Sequence, residues 1–208
     1  TPSSGCTSGN AYLLKNERLE EGEKIVEVRD LSHIYLDGTP LAHQALSHLD
    51  LTAYRSTSLG LLGRTGSGKS TLLQHLNGVL RPQKGSIRVG EYFLENPQTS
   101  TRTIAMFVGM VFQNPEMQFF EQYAGDEISY GPRQTGSDEP LAERVRWAMT
   151  LVGLDFEKFK DRLVFTLSGG EKRKVALAAT MALRPSVLLM DEPTAGLDPA
   201  SHLEILSR

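Results

Sequence analysis

Gly63-Arg64-Thr65-Gly66-Ser67-Gly68-Lys69-Ser70, followed by Thr71, is the stretch that decides the fold. It fits G-x-x-x-x-G-K-[ST], the phosphate-binding loop pattern. Gly63, Gly66 and Gly68 permit φ > 0 and a close approach of backbone to ligand. The loop N–H groups can then turn inward as an anion nest, and a helix starting near Lys69 adds the positive end of its dipole. In this pattern Lys69 reaches the outer phosphates and the Ser70 hydroxyl ligates Mg²⁺. The flanks supply the context: residues 57–62 read as a short buried strand entering the loop. Residues 70–77 read as a helix with Leu72, Leu73 and Leu76 on one face, stopped by Gly78.

Upstream, residues 24–29 and 33–36 read as two short strands and residues 46–54 as a half-exposed one, which together predict an antiparallel sheet. Residues 1–22 are Ser/Thr/Gly-rich and then charged, and are expected to form a flexible tail. Downstream, residues 85–90 read as a strand, and residues 108–112 as a continuous apolar strand of the kind a parallel sheet buries on both faces. Three helices follow, over 126–130, where Gly131-Pro132 ends the helix, over 141–152 and over 169–183. The second carries Leu141, Val145, Ala148, Met149 and Val152 on one face, with Ser137 or Asp138 as its cap.

The 208 residues suffice for one α/β domain with a subdomain. A net charge of −3 argues against a general nucleic-acid binder. The single cysteine, Cys6, excludes an intrachain disulfide and a cysteine metal cluster. No apolar run approaches the ~18 residues of a membrane span.

Two further stretches carry chemistry. The apolar strand over 187–190 ends in Asp191-Glu192-Pro193-Thr194, and an acid at a strand's carboxyl end is what a phosphate-loop enzyme uses for Mg²⁺. Asp191 is the metal candidate, directly or through water, and Glu192 the group that positions or deprotonates attacking water. In Leu167-Ser168-Gly169-Gly170-Glu171-Lys172-Arg173, Ser168 and Glu171 make a capping box. Gly169 and Gly170 then cost the helix roughly 1 kcal/mol each relative to alanine. Bare N–H groups at a helix start form an anion site, so a second phosphate-binding surface is predicted.

Leu167-Ser168-Gly169-Gly170-Glu171, ahead of Asp191-Glu192-Pro193-Thr194, resembles the signature of ATP-binding-cassette (ABC) ATPases, with Glu171 where glutamine is commoner. Gln113 resembles the glutamine of the family's Q-loop, which touches Mg²⁺ and water, and Ala195-Gly196-Leu197-Asp198 resembles the D-loop, with Asp198 at a dimer interface. Tyr35 stands where the family places an aromatic against adenine, and His33 beside it reads as structural. The resemblance implies a phosphate-loop NTPase core with a mostly parallel sheet, an antiparallel β subdomain and an α-helical signature subdomain of about residues 114–167, all within a domain of residues 23–208. Its ligands would be ATP and Mg²⁺. Gly63, Arg64, Thr65, Gly66, Ser67, Gly68, Lys69, Ser70 and Thr71 of one chain would meet Ser168, Gly169 and Gly170 of a second, paired head to tail. Lys69, Gln113 and Glu192 would be catalytic, and Ser70, Gln113 and Asp191 would hold the metal.

Gln113-Asn114-Pro115-Glu116-Met117-Gln118-Phe119-Phe120, with Asp126-Glu127-Ile128-Ser129-Tyr130-Gly131-Pro132, is similar to the ATPases of energy-coupling-factor (ECF) importers of vitamins or transition metals such as cobalt and nickel. That implies a transmembrane partner near Gln113 and Phe120, a place on the cytoplasmic face of the membrane, and no nucleic acid. Met117, Phe119 and Phe120 either line a groove for the partner or pack the helical subdomain's own core. The family's switch histidine lies further beyond Glu192 than this chain runs, and His202 is too close to Glu192 to fill its place, so a missing C-terminal part is expected. The alternatives are a soluble ABC ATPase outside transport and a nucleotide-binding module inactive in this form.

Overall fold

The structure, a computed structural model, describes residues 11–14, 22–112, 119–136 and 139–191. The chain divides into two units, Thr1–Ala105 and Met106–Arg208.

In the first unit, two twelve-residue strands, β2 (Lys24–Tyr35) and β3 (His43–Tyr54), pair antiparallel. A further strand labelled β1 (Ala11–Leu14) precedes them, and β4 (Gly60–Gly63), helix α1 (Lys69–Leu76), β5 (Lys84–Val89) and β6 (Tyr92–Phe93) follow. The sheet order is β3-β2-β5-β6, all antiparallel, as the sequence predicts for this region. Ile25, Val26, Val28, Leu31, Leu51, Ile87 and Val89 are buried in it. The two short strands expected over 24–29 and 33–36 are one strand with a bulge. Asp30 sits at φ 50 and His48 opposite at φ 47. Side chains take up the N–H groups that the irregular ladder leaves: Asp30 N–H donates to Asp50 Oδ1 at 2.8 Å and His48 N–H to Ser32 Oγ at 3.0 Å.

Two expectations change here. Within the predicted tail, Ala11–Leu14 forms β1 and pairs antiparallel with β4, the strand that enters the phosphate loop. The apolar run Ala-Tyr-Leu-Leu suits a strand where the polar residues around it do not. Nor is β4 the buried strand predicted over 57–62. It spans Gly60–Gly63, and Leu62 is 51% exposed.

The second unit joins a parallel strand pair to a helical layer. Strand β7 (Val108–Val111) pairs with β8 (Val187–Met190), Val108 opposite Val187 and Val111 opposite Met190. Helix α2 (Thr101–Phe107) leads into β7. Helices α3 (Ala124–Thr135), α4 (Leu141–Leu151), α5 (Phe156–Phe159) and α6 (Gly169–Ala182) follow in chain order. One core unites them: Ala124 and Ile128 of α3, Val145, Ala148 and Met149 of α4, then Val152, Leu154 and Leu167, and Val175, Ala178 and Ala182 of α6.

The α4 face follows the predicted period, with Val145, Ala148, Met149 and Val152 buried. Its predicted caps, Ser137 and Asp138, lie outside the described residues, and Pro140 occupies the N-cap position. Helix α3 runs straight through Gly131-Pro132, where the sequence predicts a stop. Pro132 is fully buried, so tertiary packing outweighs the lost backbone hydrogen bond.

Candidate nucleotide site

The loop between β4 and α1 has the conformation its glycines permit. Gly66 lies at φ 81 and Gly68, the N-cap of α1, at φ 89. A Cβ on Gly68 would stand 2.5 Å from the Ala45 carbonyl oxygen, so the position demands glycine for space as well as for dihedral. Gly63, expected to share the positive φ, is instead the last residue of β4, where its carbonyl serves another purpose. Lys69 Nζ donates to Gly63 O at 2.7 Å and to Arg64 O at 3.0 Å, which folds the ammonium back over the loop. Arg64, Thr65, Gly66 and Ser70 are exposed. Ser67 Oγ is buried and makes no hydrogen bond among the described residues. A buried hydroxyl without a partner there, beside a lysine that donates to two carbonyls, is a cradle suited to an anion that accepts from both.

Tyr35, at the end of β2, reaches the same place. Its hydroxyl donates to Thr71 Oγ1 at 3.3 Å. Behind them lies a pair that the sequence did not flag. His33 and His75 are 5% and 0% exposed, with ring centroids 4.8 Å apart, and the His33 ring stacks edge-on against Tyr35 at 4.6 Å. His75 Nδ1 lies 2.8 Å from Thr71 O. Tyr35, Thr71, His75 and His33 thus close a ring of contacts. Burial pushes both imidazoles below the usual histidine range; for His75 the neighbouring His33 adds to this and the Thr71 carbonyl opposes it. The signal for His75 was its place four residues after Thr71, on the face that buries Leu72 and Leu76.

In the second unit, Ser168 caps α6 as predicted. Its Oγ accepts from Glu171 N at 3.3 Å, and Glu171 Oε2 accepts from Ser168 N at 2.7 Å. Arg162 Nη1 donates to Glu171 Oε1 at 3.0 Å. The hydrogen bond from the Ser168 N–H, with help from the Ser168 hydroxyl and Arg162, holds the Glu171 carboxyl below the usual carboxylate range. Open space surrounds the Cα atoms of Gly169 and Gly170, so the helix start is bare on that side. Asp191 follows β8 directly, and its N–H donates to Val111 O at 3.0 Å. It therefore stands at the end of the β7–β8 pair, where Phe112 leaves β7. Gln113, Glu192 and Asp198 lie outside the described residues. Among the described residues no cluster of three or more His, Cys, Asp or Glu is placed to hold a metal; Ser70 in the first unit and Asp191 in the second each carry an oxygen donor of the kind Mg²⁺ takes.

Comparison with known proteins agrees with this geometry. The family model described as ABC transporter matches residues 46–195. The chain is 42% identical over 182 residues to the energy-coupling factor transporter ATP-binding protein EcfA2 of Clostridium tetani, covering 87% of this chain and 63% of that protein. It is 45% identical over 181 residues to the protein of the same name from Clostridioides difficile, covering 86% and 63%. The chain thus spans 63% of the length of these two relatives. Among solved structures it resembles cbiO1 from Clostridium perfringens, described as part of the ABC transporter complex cbiONQ, with TM-score 0.74, 32% identity, and 89% of this chain and 72% of that one covered. The dimeric bacterial ABC transporter cassette MJ0796, 20% identical with TM-score 0.72 over 88% of this chain and 80% of that one, shares the fold. The phosphate loop, the capped signature helix and the acid-ended parallel strand all fall within the matched stretch, and the chain belongs to the ABC transporter family.

Proposed function

We propose that the chain is the ATP-binding and ATP-hydrolysing portion of an ECF-type importer, acting at the cytoplasmic face of the membrane beside a transmembrane subunit. The observation that carries this is the presence in one chain of both an anion cradle at residues 63–71 and a bare, capped helix start at Gly169 and Gly170. Each is half of a phosphate site, and a head-to-tail pair of chains makes two whole ones. No helix among the described residues is long and apolar enough to cross a membrane.

Within this reading, the N–H groups of the loop and Lys69 bind the β- and γ-phosphates, and Tyr35 stacks on adenine. Ser70, Asp191 and Gln113 hold Mg²⁺, which supplies charge neutralisation at the leaving phosphates. Glu192 holds the attacking water in line and draws its proton, while Ser168, Gly169 and Gly170 of the second chain close over the γ-phosphate. Asp198 lies at the chain–chain boundary. The similarity of residues 113–120 and 126–132 to ECF ATPases, together with the relatives' names, supports the ECF reading; a vitamin or a transition metal such as cobalt or nickel as cargo rests on that resemblance alone.

The test is purification of the full-length protein from its native membrane. It should bring a membrane subunit with it, and ATP turnover of the complex in liposomes should exceed that of the detached protein. A full-length protein that brings no membrane subunit and turns ATP over equally well alone would overturn the transport reading.

A further inference from the structure

Glu127 is buried, at 7% exposure, in the first turn of α3, and its carboxylate also reaches beyond its own helix. Its Oε2 reaches back and accepts two backbone N–H groups, from Phe120 and Glu121, each at 2.9 Å. A buried carboxylate is held by such charge-assisted bonds, and the bonds in turn fix the backbone that donates them. The neighbours are held as firmly. The Phe119 ring packs on the helical core, and Glu121 Oε1 accepts from Arg133 Nη2 at 3.0 Å. Only the Phe120 side chain is left outside, 80% exposed and stacked on Tyr130 at 6.0 Å.

The next residues are bonded to the segment that leads into the signature. Val164 N–H donates to Gln122 O at 2.9 Å, Ala124 N–H to Arg162 O at 2.9 Å and Gly125 N–H to Lys160 O at 2.9 Å. Tyr123 and Leu163 form a bridge between them. A Cβ on Gly125 would stand 2.9 Å from Lys160 O, so the close approach needs glycine. From there Leu167 N–H donates to Val164 O at 3.2 Å, and Arg162 holds the Glu171 that caps Ser168. A continuous chain of hydrogen bonds therefore runs from Phe120 to the N-terminus of α6.

We propose that Glu127 is a positioning residue that couples the membrane partner to the signature helix: it locks residues 119–121 to the helical layer, so that load applied at the exposed Phe120 ring reaches Ser168 without being absorbed by a slack backbone. The proposal rests on the transport reading above. Glu127 touches neither nucleotide nor metal in that reading, so its effect is on coupling and not on chemistry. Removing the carboxylate frees the backbone at Phe120 and Glu121 while leaving the phosphate loop untouched.

The experiment measures ATP turnover of the full-length protein, detached and in complex with its membrane subunit in liposomes, for the parent, Glu127→Ala, Glu127→Asp and Glu127→Gln. Glu127→Ala should keep detached turnover and the KM for ATP within twofold and lose at least fivefold of the stimulation by the membrane subunit. Glu127→Asp, one methylene too short to reach both N–H groups, should lose stimulation likewise. Glu127→Gln, which keeps an acceptor oxygen at the same reach, should retain it within twofold. Should the alanine variant fail to fold, the aspartate–glutamine contrast decides. Stimulation equal to the parent in both Glu127→Ala and Glu127→Asp, or in Glu127→Asp alone where alanine does not fold, overturns the proposal, as does a loss of detached turnover in parallel with the stimulation. If the parent complex itself shows no stimulation, it is the transport reading that fails.

Discussion

The Tyr35 hydroxyl donates to Thr71 Oγ1 at 3.3 Å, joining the end of β2 to the first turn of the phosphate-loop helix. The aromatic proposed for adenine and the loop proposed for phosphate are thus held in one frame before any nucleotide arrives. Tyr35→Phe keeps the ring and loses only this hydrogen bond, so its affinity for ATP should stay within about threefold of the parent, and Tyr35→Ala should weaken binding about tenfold, as expected for loss of an aromatic stack. Fluorescent-nucleotide titration measures both. Equal affinities for Tyr35→Ala and the parent would remove Tyr35 from the site.

The frame has a pH dependence. Burial depresses the folded-state pKa of His33 and of His75, so between the ordinary histidine value and the depressed one the unfolded chain binds more protons than the folded chain. Stability is therefore full above about pH 6.5 and is lost progressively as pH falls below it. Thermal denaturation from pH 7.5 to 5.5 should show a falling midpoint, and replacing both histidines, as in His33→Asn with His75→Gln, should flatten that slope. An unchanged slope in the double variant would assign the effect elsewhere.

Gly68→Ala meets two obstacles at once, a backbone at φ 89 and the Ala45 carbonyl 2.5 Å from the new Cβ. It should destabilise the folded state by at least about 2 kcal/mol, seen as an earlier denaturant midpoint at unchanged slope. Gly66→Ala shares the positive φ but meets open space, and should cost less. The reverse order would mean that the loop relaxes away from β3.

Lys69 holds the Gly63 and Arg64 carbonyls at 2.7 and 3.0 Å, contacts it must exchange for phosphate oxygens in the proposed mechanism. Lys69→Ala should lower ATP turnover by about 100-fold or more, on the scale of losing one donor to developing charge. The folded state should survive, because two hydrogen bonds to carbonyls at the edge of the loop contribute little net stability. Turnover near the parent rate would contradict the assignment.

Local sequence signals located the local elements of the candidate site, not their function. The phosphate loop, α1 and the Ser168–Glu171 capping box are set by glycine placement and short-range hydrogen bonds, and they stand where those signals put them. What the sequence could not show depends on contacts distant in the chain. Helix α3 passes through Gly131-Pro132 because Pro132 is buried by other elements, and β2 stays whole because Asp50 and Ser32 satisfy its bulge. The His33–His75 pair joins residues far apart in sequence, and no periodicity announces it. Glu127 stood in the sequence only as one member of the stretch over 126–132; its reach back to Phe120 and Glu121 is visible in the structure alone.

In the proposed function the loop of residues 63–71 and the helix start at Ser168, Gly169 and Gly170 complete one ATP site only between two chains. That arrangement is tested most directly by the full-length Glu192→Gln variant with ATP and Mg²⁺, followed by light scattering. A stable ATP-dependent dimer with hydrolysis abolished is expected, and so is loss of that dimer on adding Ser168→Arg, which fills the bare helix start. A Glu192→Gln chain that stays monomeric with ATP bound, or that hydrolyses ATP at the parent rate, would contradict it.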